Sequence, residues 1–123
     1  MDSTDYCKQI LSINPKIRYV GIYLKSELTN LIRDGVMPIL TVDETMSSIR
    51  AAVIRWGSRK SLQHKLGMPH FEMSRYDKVY RITLSLGESN LLLVSTDIDC
   101  DILEIESQLE IIQKKIIEEL ENE

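Results

Sequence analysis

Cysteine is scarce in this sequence, with only Cys7 and Cys100, near opposite ends of 123 residues. Neither a CxxC pair nor a Cys/His cluster exists, so no disulfide framework and no metal site is expected. Two buried or half-buried thiols are the plain reading, and a bridge between the terminal helices would require them to be neighbours. Long apolar runs are also missing. Nothing approaches the roughly 20 residues that span a bilayer, and MDSTDYCKQI lacks the apolar centre of a signal peptide. A soluble, cytoplasmic protein without membrane insertion is the expectation. The sequence carries no hydrolase triad, no Walker loop and no nucleotide-binding glycine fingerprint, so neither enzyme activity nor a cofactor is expected.

Proline is confined to Pro15, Pro38 and Pro69, and no repeat, low-complexity tract or linker interrupts the chain. Residues 1–123 therefore read as one domain. Hydrophobic content of 43% and charged content of 28% are ordinary for a globular chain of this size, which can bury a core. The net charge of −4 is uneven: residues 98–123 hold nine acidic and two basic groups, a local −7. Such a balance argues against nucleic acid as a partner.

Thr4 to Ile13 reads as a helix capped by Ser3 or Thr4 and stopped at Asn14-Pro15. Ile17 to Lys25 alternates Val20, Ile22 and Leu24 against Tyr19, Gly21 and Tyr23, a strand covered on both sides. Gly21 would let a helix approach closely. Ser26-Glu27 turns the chain into a second strand, Leu28 to Arg33. Thr41 to Gly67 reads as one long helix, with a Thr41/Glu44 capping box at its start and Gly67 as its stop. Pro69 to Arg75 is an edge strand with Phe71 and Met73 on one face and His70, Glu72 and Ser74 on the other. Lys78 to Leu86 and Leu91 to Thr96 form a hairpin around Gly87-Glu88-Ser89-Asn90. Asp97 or Asp99 opens a last helix, residues 99–121, with Ile102, Ile105, Leu109 and Ile112 facing the sheet. Ile116, Ile117 and Leu120 reach past what the sheet can cover, with fraying, contact with the first helix or docking on a partner as the alternatives. This helix is therefore read as one that can extend beyond the core.

The expected fold class is therefore α/β (α+β), a single five-stranded, mostly antiparallel sheet in the order α-β-β-α-β-β-β-α. The long central helix lies on one face and the terminal helices on the other.

This order, with NPKIRYVGIYLK opening the first strand, the long Thr41–Gly67 helix and the hairpin YDKVYRITLSLGESNLLLVSTD, resembles the roadblock/dynein-light-chain-like domains of the longin/profilin-like folds. The elements KIRYVGI, KLG and LLLVS also resemble a group of small archaeal proteins. The roadblock resemblance implies a dimer in which edge strands pair and two long helices pack side by side. It also implies a scaffold or regulator of small Ras-like GTPases, or a motor adaptor. Many members have Asp-Gly between strands one and two, where this chain has Ser26-Glu27.

Projected at about 100° per residue, Met46, Ile49, Val53 and Trp56 form the core face of the central helix. Nearly opposite lie Ser47, Ala51, Ile54 and Ser58. That row fits either a solvent-facing side or a helix–helix contact, and the contact is favoured because small side chains permit close approach. With edge pairing at Phe71 and Met73, these six residues make the expected homodimer interface. Arg50 falls on one flank of the helix and Arg55 and Arg59 on the other, with Lys65 near the small-residue row and Lys60 close to the core stripe. Pairing with the acidic last helix, within or between chains, is expected. His64 and His70 read as surface residues with no carboxylate at ligand spacing, and Glu72 and Asp77 as solvated carboxylates. Two functions follow: a non-enzymatic scaffold or regulatory domain acting through homodimerisation and protein contacts, or a small-ligand sensor with a pocket between sheet and helix.

Overall fold

The computed structural model describes residues 1–123. Five strands, β1 (Ile17–Leu24), β2 (Glu27–Ile32), β3 (Phe71–Arg75), β4 (Val79–Ser85) and β5 (Leu91–Asp97), form one sheet. Its order is β2-β1-β5-β4-β3, and every pairing is antiparallel. The helices are α1 (Ser3–Leu11), α2 (Val42–Lys60), α3 (Gln63–Leu66) and α4 (Ile102–Glu121). The architecture is the expected α+β one, with one additional short helix.

Strand alternation sorts the side chains into two layers. Val20 and Ile22, Ile82 and Leu84, and Leu92 and Val94 pack against Cys7 and Ile10 of α1 and Ile105, Leu109 and Ile116 of α4. At about 2 kcal/mol for each fully buried Leu or Ile, this layer supplies most of the hydrophobic stabilisation. Arg33 secures its entrance. Its Nε donates to Ile17 O at 2.7 Å and its Nη2 to Asn14 O at 2.9 Å, holding the connection from α1 to β1.

Several boundaries differ from expectation for identifiable reasons. Asp2, not Ser3 or Thr4, caps α1 by accepting from Asp5 N. The first hairpin turns at Lys25-Ser26 rather than Ser26-Glu27, because Leu24 pairs with Glu27. Both turn residues take positive φ, 50° and 68°, which lets a two-residue loop follow the strand twist. Asp101 caps α4, since Asp97 remains in β5 with its carboxylate bound to Arg18 at 2.9 Å. No helix lies on Gly21. A β-carbon there would sit 2.8 Å from the Tyr19 hydroxyl and 3.2 Å from Leu28, so the tyrosine ring occupies the space.

The last helix does not run beyond the core. Ile116 is fully buried, and Ile117 and Leu120 pack on the same cluster. The Met1 ammonium reaches Glu123 at 2.8 Å, closing that end.

The central helix is shorter than expected. Its Thr41/Glu44 capping box is present, but α2 ends at Lys60. There Ser61 N and Leu62 N turn back to Ser58 O and Arg59 O, tightening the last turn. Leu62 and Leu66 have no core to reach and stay 52% and 79% exposed. Gly67, at φ 85°, ends the separate α3. The face α2 buries is Ile49, Ala52 and Trp56, while Met46 and Val53 are half-buried.

Candidate interaction face and cleft

Helix α2 presents Ser47, Ala51, Ile54 and Ser58 to solvent, with Ile54 72% exposed. Nine of the thirteen exposed large hydrophobics fall between Met37 and Phe71, so exposed apolar surface concentrates on α2 and its flanking connections. Strand β3 is the sheet edge and pairs only with β4, leaving one side of its backbone unpaired. Phe71 and Met73 lie opposite Leu84 and Ile82, which puts their side chains on the α4 face. The six residues expected at a dimer seam therefore border one edge from two sides. They do not form one continuous patch.

Between α2 and strands β3 and β4 lies a cleft of about 620 Å³. Its floor is polar because the alternation of β4 directs Arg81 and Thr83 toward α2. The buried Trp56 Nε1 donates to Thr83 Oγ1 at 3.0 Å. Arg81 Nη2 donates to Ser48 Oγ at 2.9 Å. On the wall, Arg55 Nε lies 2.9 Å from Glu72 Oε1, and Arg59 grips the other carboxylate oxygen. The Arg59 guanidinium also sits 5.7 Å from the Trp56 ring centroid.

This geometry corrects two expectations. Glu72 is not a solvated carboxylate; its side chain is only 14% exposed between two arginines. Within the chain the basic residues of α2 do not pair with the acidic α4, which covers the opposite face of the sheet. Arg55 and Arg59 use Glu72, and Lys60 Nζ donates to Glu88 O at 2.7 Å. The polar half of β4, Arg81-Thr83-Ser85, was the readable signal for the cleft. A strand facing a covering helix with such residues signals something other than packing.

A second polar cluster lies on the α4 side. Glu106 is buried, and its Oε1 has no hydrogen-bond partner. Burial first, then a hydrogen bond to Glu110 and its charge, push the Glu106 carboxyl up to about 7. His70 Nδ1 lies 3.7 Å from Glu110 Oε1, so His70 does have a carboxylate neighbour. Gln113 Nε2 donates to Ser85 O at 2.7 Å and His70 O at 3.4 Å. No three His, Cys, Asp or Glu side chains are grouped to hold a metal ion.

Both thiols are free. Burial pushes the Cys7 thiol up to about 11, and its Sγ donates to Thr29 O at 3.8 Å. Cys100 donates to Asp97 O at 3.2 Å. No helix is long and apolar enough to cross a membrane.

No protein-family model and no curated protein sequence matches the chain. Its fold matches several solved structures. MglB of Myxococcus xanthus is 13% identical, covering 97% of this chain and 94% of its own with a TM-score of 0.73. An MglB structure described as having a tetrameric arrangement is 15% identical over 94% and 88%, with a TM-score of 0.71. The Roadblock/LC7 domain from Streptomyces avermitilis is 12% identical over 98% of both chains, with a TM-score of 0.67. Identities this low establish fold and leave function to the site. The sheet order, the helix layers and these neighbours agree: the chain has the roadblock fold.

Proposed function

We propose that this chain is a non-enzymatic scaffold or regulatory domain that works as a homodimer through the exposed side of α2 and the free edge of β3. The carrying observation is Ile54, 72% exposed in a row of α2 whose other members, Ser47, Ala51 and Ser58, are small and exposed, with the exposed Arg50 and Arg55 at its borders. Small residues around one apolar side chain let two helix backbones approach and bury it. The unpaired edge of β3 supplies hydrogen-bonding groups beside that contact. The tetrameric arrangement of one MglB relative supports self-association on this fold. The dimer would present its surface to a protein partner, and a small Ras-like GTPase is the class the roadblock resemblance implies.

Sedimentation equilibrium tests self-association. Wild type should sediment at twice the chain mass of 14.2 kDa, and Ile54→Arg at the chain mass itself. A monomeric wild type, or a dimer unchanged by Ile54→Arg, overturns the proposal. Retention of a small GTPase from the same cell by immobilised wild type checks the partner class. If wild type retains no GTPase in either nucleotide state, that part fails.

A further inference from the structure

Packing alone does not account for the floor of the cleft under α2. A helix normally covers a sheet face through apolar contacts, yet β4 offers Arg81 and Thr83 there, beside Leu93 of β5. Thr83 is satisfied by Trp56. Arg81 is different: it is half-buried, and its one hydrogen-bond partner is the neutral Ser48 hydroxyl. No carboxylate pairs with it. A guanidinium carries five N–H donors, and a partly desolvated charge without a counter-charge is unfavourable. The wall has the same imbalance, since Arg55 and Arg59 share the single carboxylate of Glu72. Three guanidinium groups thus face one carboxylate, an excess of two positive charges in the cleft of a chain whose net charge is −4.

Shape and chemistry agree on what would restore balance. The cleft volume of about 620 Å³ lies inside the range of small-molecule sites. Guanidinium forks bind planar or tetrahedral oxyanions through paired N–H donors. The Ser48 and Tyr76 hydroxyls also line the space. Sequence alone scatters these groups. Arg55 and Arg59 are on one flank of α2, and Arg81 joins them only because β4 is the strand beneath.

We propose that the cleft binds a small oxyanion, a carboxylate- or phosphate-bearing metabolite seated between Arg81 on the floor and Arg55 and Arg59 on the wall. Glu72 acts as a positioning residue that holds the two wall arginines side by side. The occupant stands beside Ala51, which belongs to the exposed row of α2, so binding and self-association share one wall.

The full chain would be titrated with pyrophosphate, with citrate and with neutral glycerol at constant ionic strength. The reporters are the Nε–H signals of Arg55, Arg59 and Arg81 and the Trp56 indole N–H in NMR spectra. Pyrophosphate or citrate should give saturable shifts at these groups, and glycerol none. The tighter of the two anions identifies phosphate or carboxylate as the recognised group. Arg81→Gln should weaken binding about tenfold or more, the loss of one charge-assisted contact. Arg55→Gln should weaken it in the same direction, and Lys114→Gln on the opposite layer should leave it unchanged.

The proposal is overturned if neither anion shifts these signals at millimolar concentration, or if Arg81→Gln and Arg55→Gln both bind as wild type does. It is equally overturned if the shifts follow protein concentration rather than added anion, because an acidic side chain of a second copy would then fill the cleft. Sedimentation of the same samples reads oligomeric state separately. A monomer that still binds either anion therefore refutes self-association and supports the cleft.

Discussion

Fifteen buried residues fill the layer between the sheet and helices α1 and α4, whereas three, Ala52, Trp56 and Leu91, form the cluster under α2. The first layer is mostly apolar across three central strands, with Thr96, Glu106 and Gln113 as its buried polar members. The second relies on polar links: Trp56 to Thr83, Arg81 to Ser48, and Glu72 to Arg55 and Arg59. Helix α2 is thus held by few buried contacts while keeping Ile54 in water. The difference teaches that one face of the sheet supplies most of the buried core, and the other keeps apolar surface exposed.

The contrast predicts unequal costs for equal deletions. Leu109→Ala, at a fully buried position, should destabilise the chain by about 3 kcal/mol in urea unfolding. A loss below about 1 kcal/mol would mean that the α4 layer is not the main core. Glu106→Gln should do the opposite, and its effect should depend on pH. The native state favours protonated Glu106, with its carboxyl raised to about 7 by burial and then by Glu110. The stability this proton confers is complete below the ordinary carboxylate range and is lost as pH rises through about 7. Glutamine keeps the neutral form, so the variant should gain on wild type between pH 5 and 8 by on the order of 2 kcal/mol. Parallel pH profiles for the two proteins would contradict this. Besides Glu110, His70 faces this region, its Nδ1 3.7 Å from Glu110 Oε1.

Smaller effects belong to the α2 layer. Trp56→Phe removes the indole donor and leaves Thr83 without it, costing about 1.5 kcal/mol in the same unfolding assay. A neutral result would show that the Trp56–Thr83 link contributes nothing net. Ile54→Ser should change the stability of the dilute chain by no more than about 0.5 kcal/mol, since Ile54 touches no core there.

The same contrast governs how much was readable in advance. Alternation in β1, β4 and β5 and the period of α4 identify the apolar layer, because dense packing leaves its mark at every second or every third to fourth residue. The exposed row Ser47, Ala51, Ile54 and Ser58 follows from the same arithmetic. The polar layer is hidden because its links join residues far apart in sequence, Ser48 with Arg81 and Arg55 with Glu72. The early end of α2 is hidden for a related reason: Leu62 and Leu66 continue an apolar pattern but have no core beneath them. For Ile116, Ile117 and Leu120 the sequence leaves contact with α1 as one alternative among three, and the structure puts them on the cluster that holds Cys7 and Ile10 of α1.

Hydrogen exchange measured at low and high protein concentration tests most directly whether α2 and β3 form the surface that waits for a second copy. Self-association through that side predicts that amides in 42–60 and 71–75 exchange more slowly as concentration rises, while those in 3–11 and 102–121 do not change. Protection that is independent of concentration, or that grows first in the terminal helices, would contradict it.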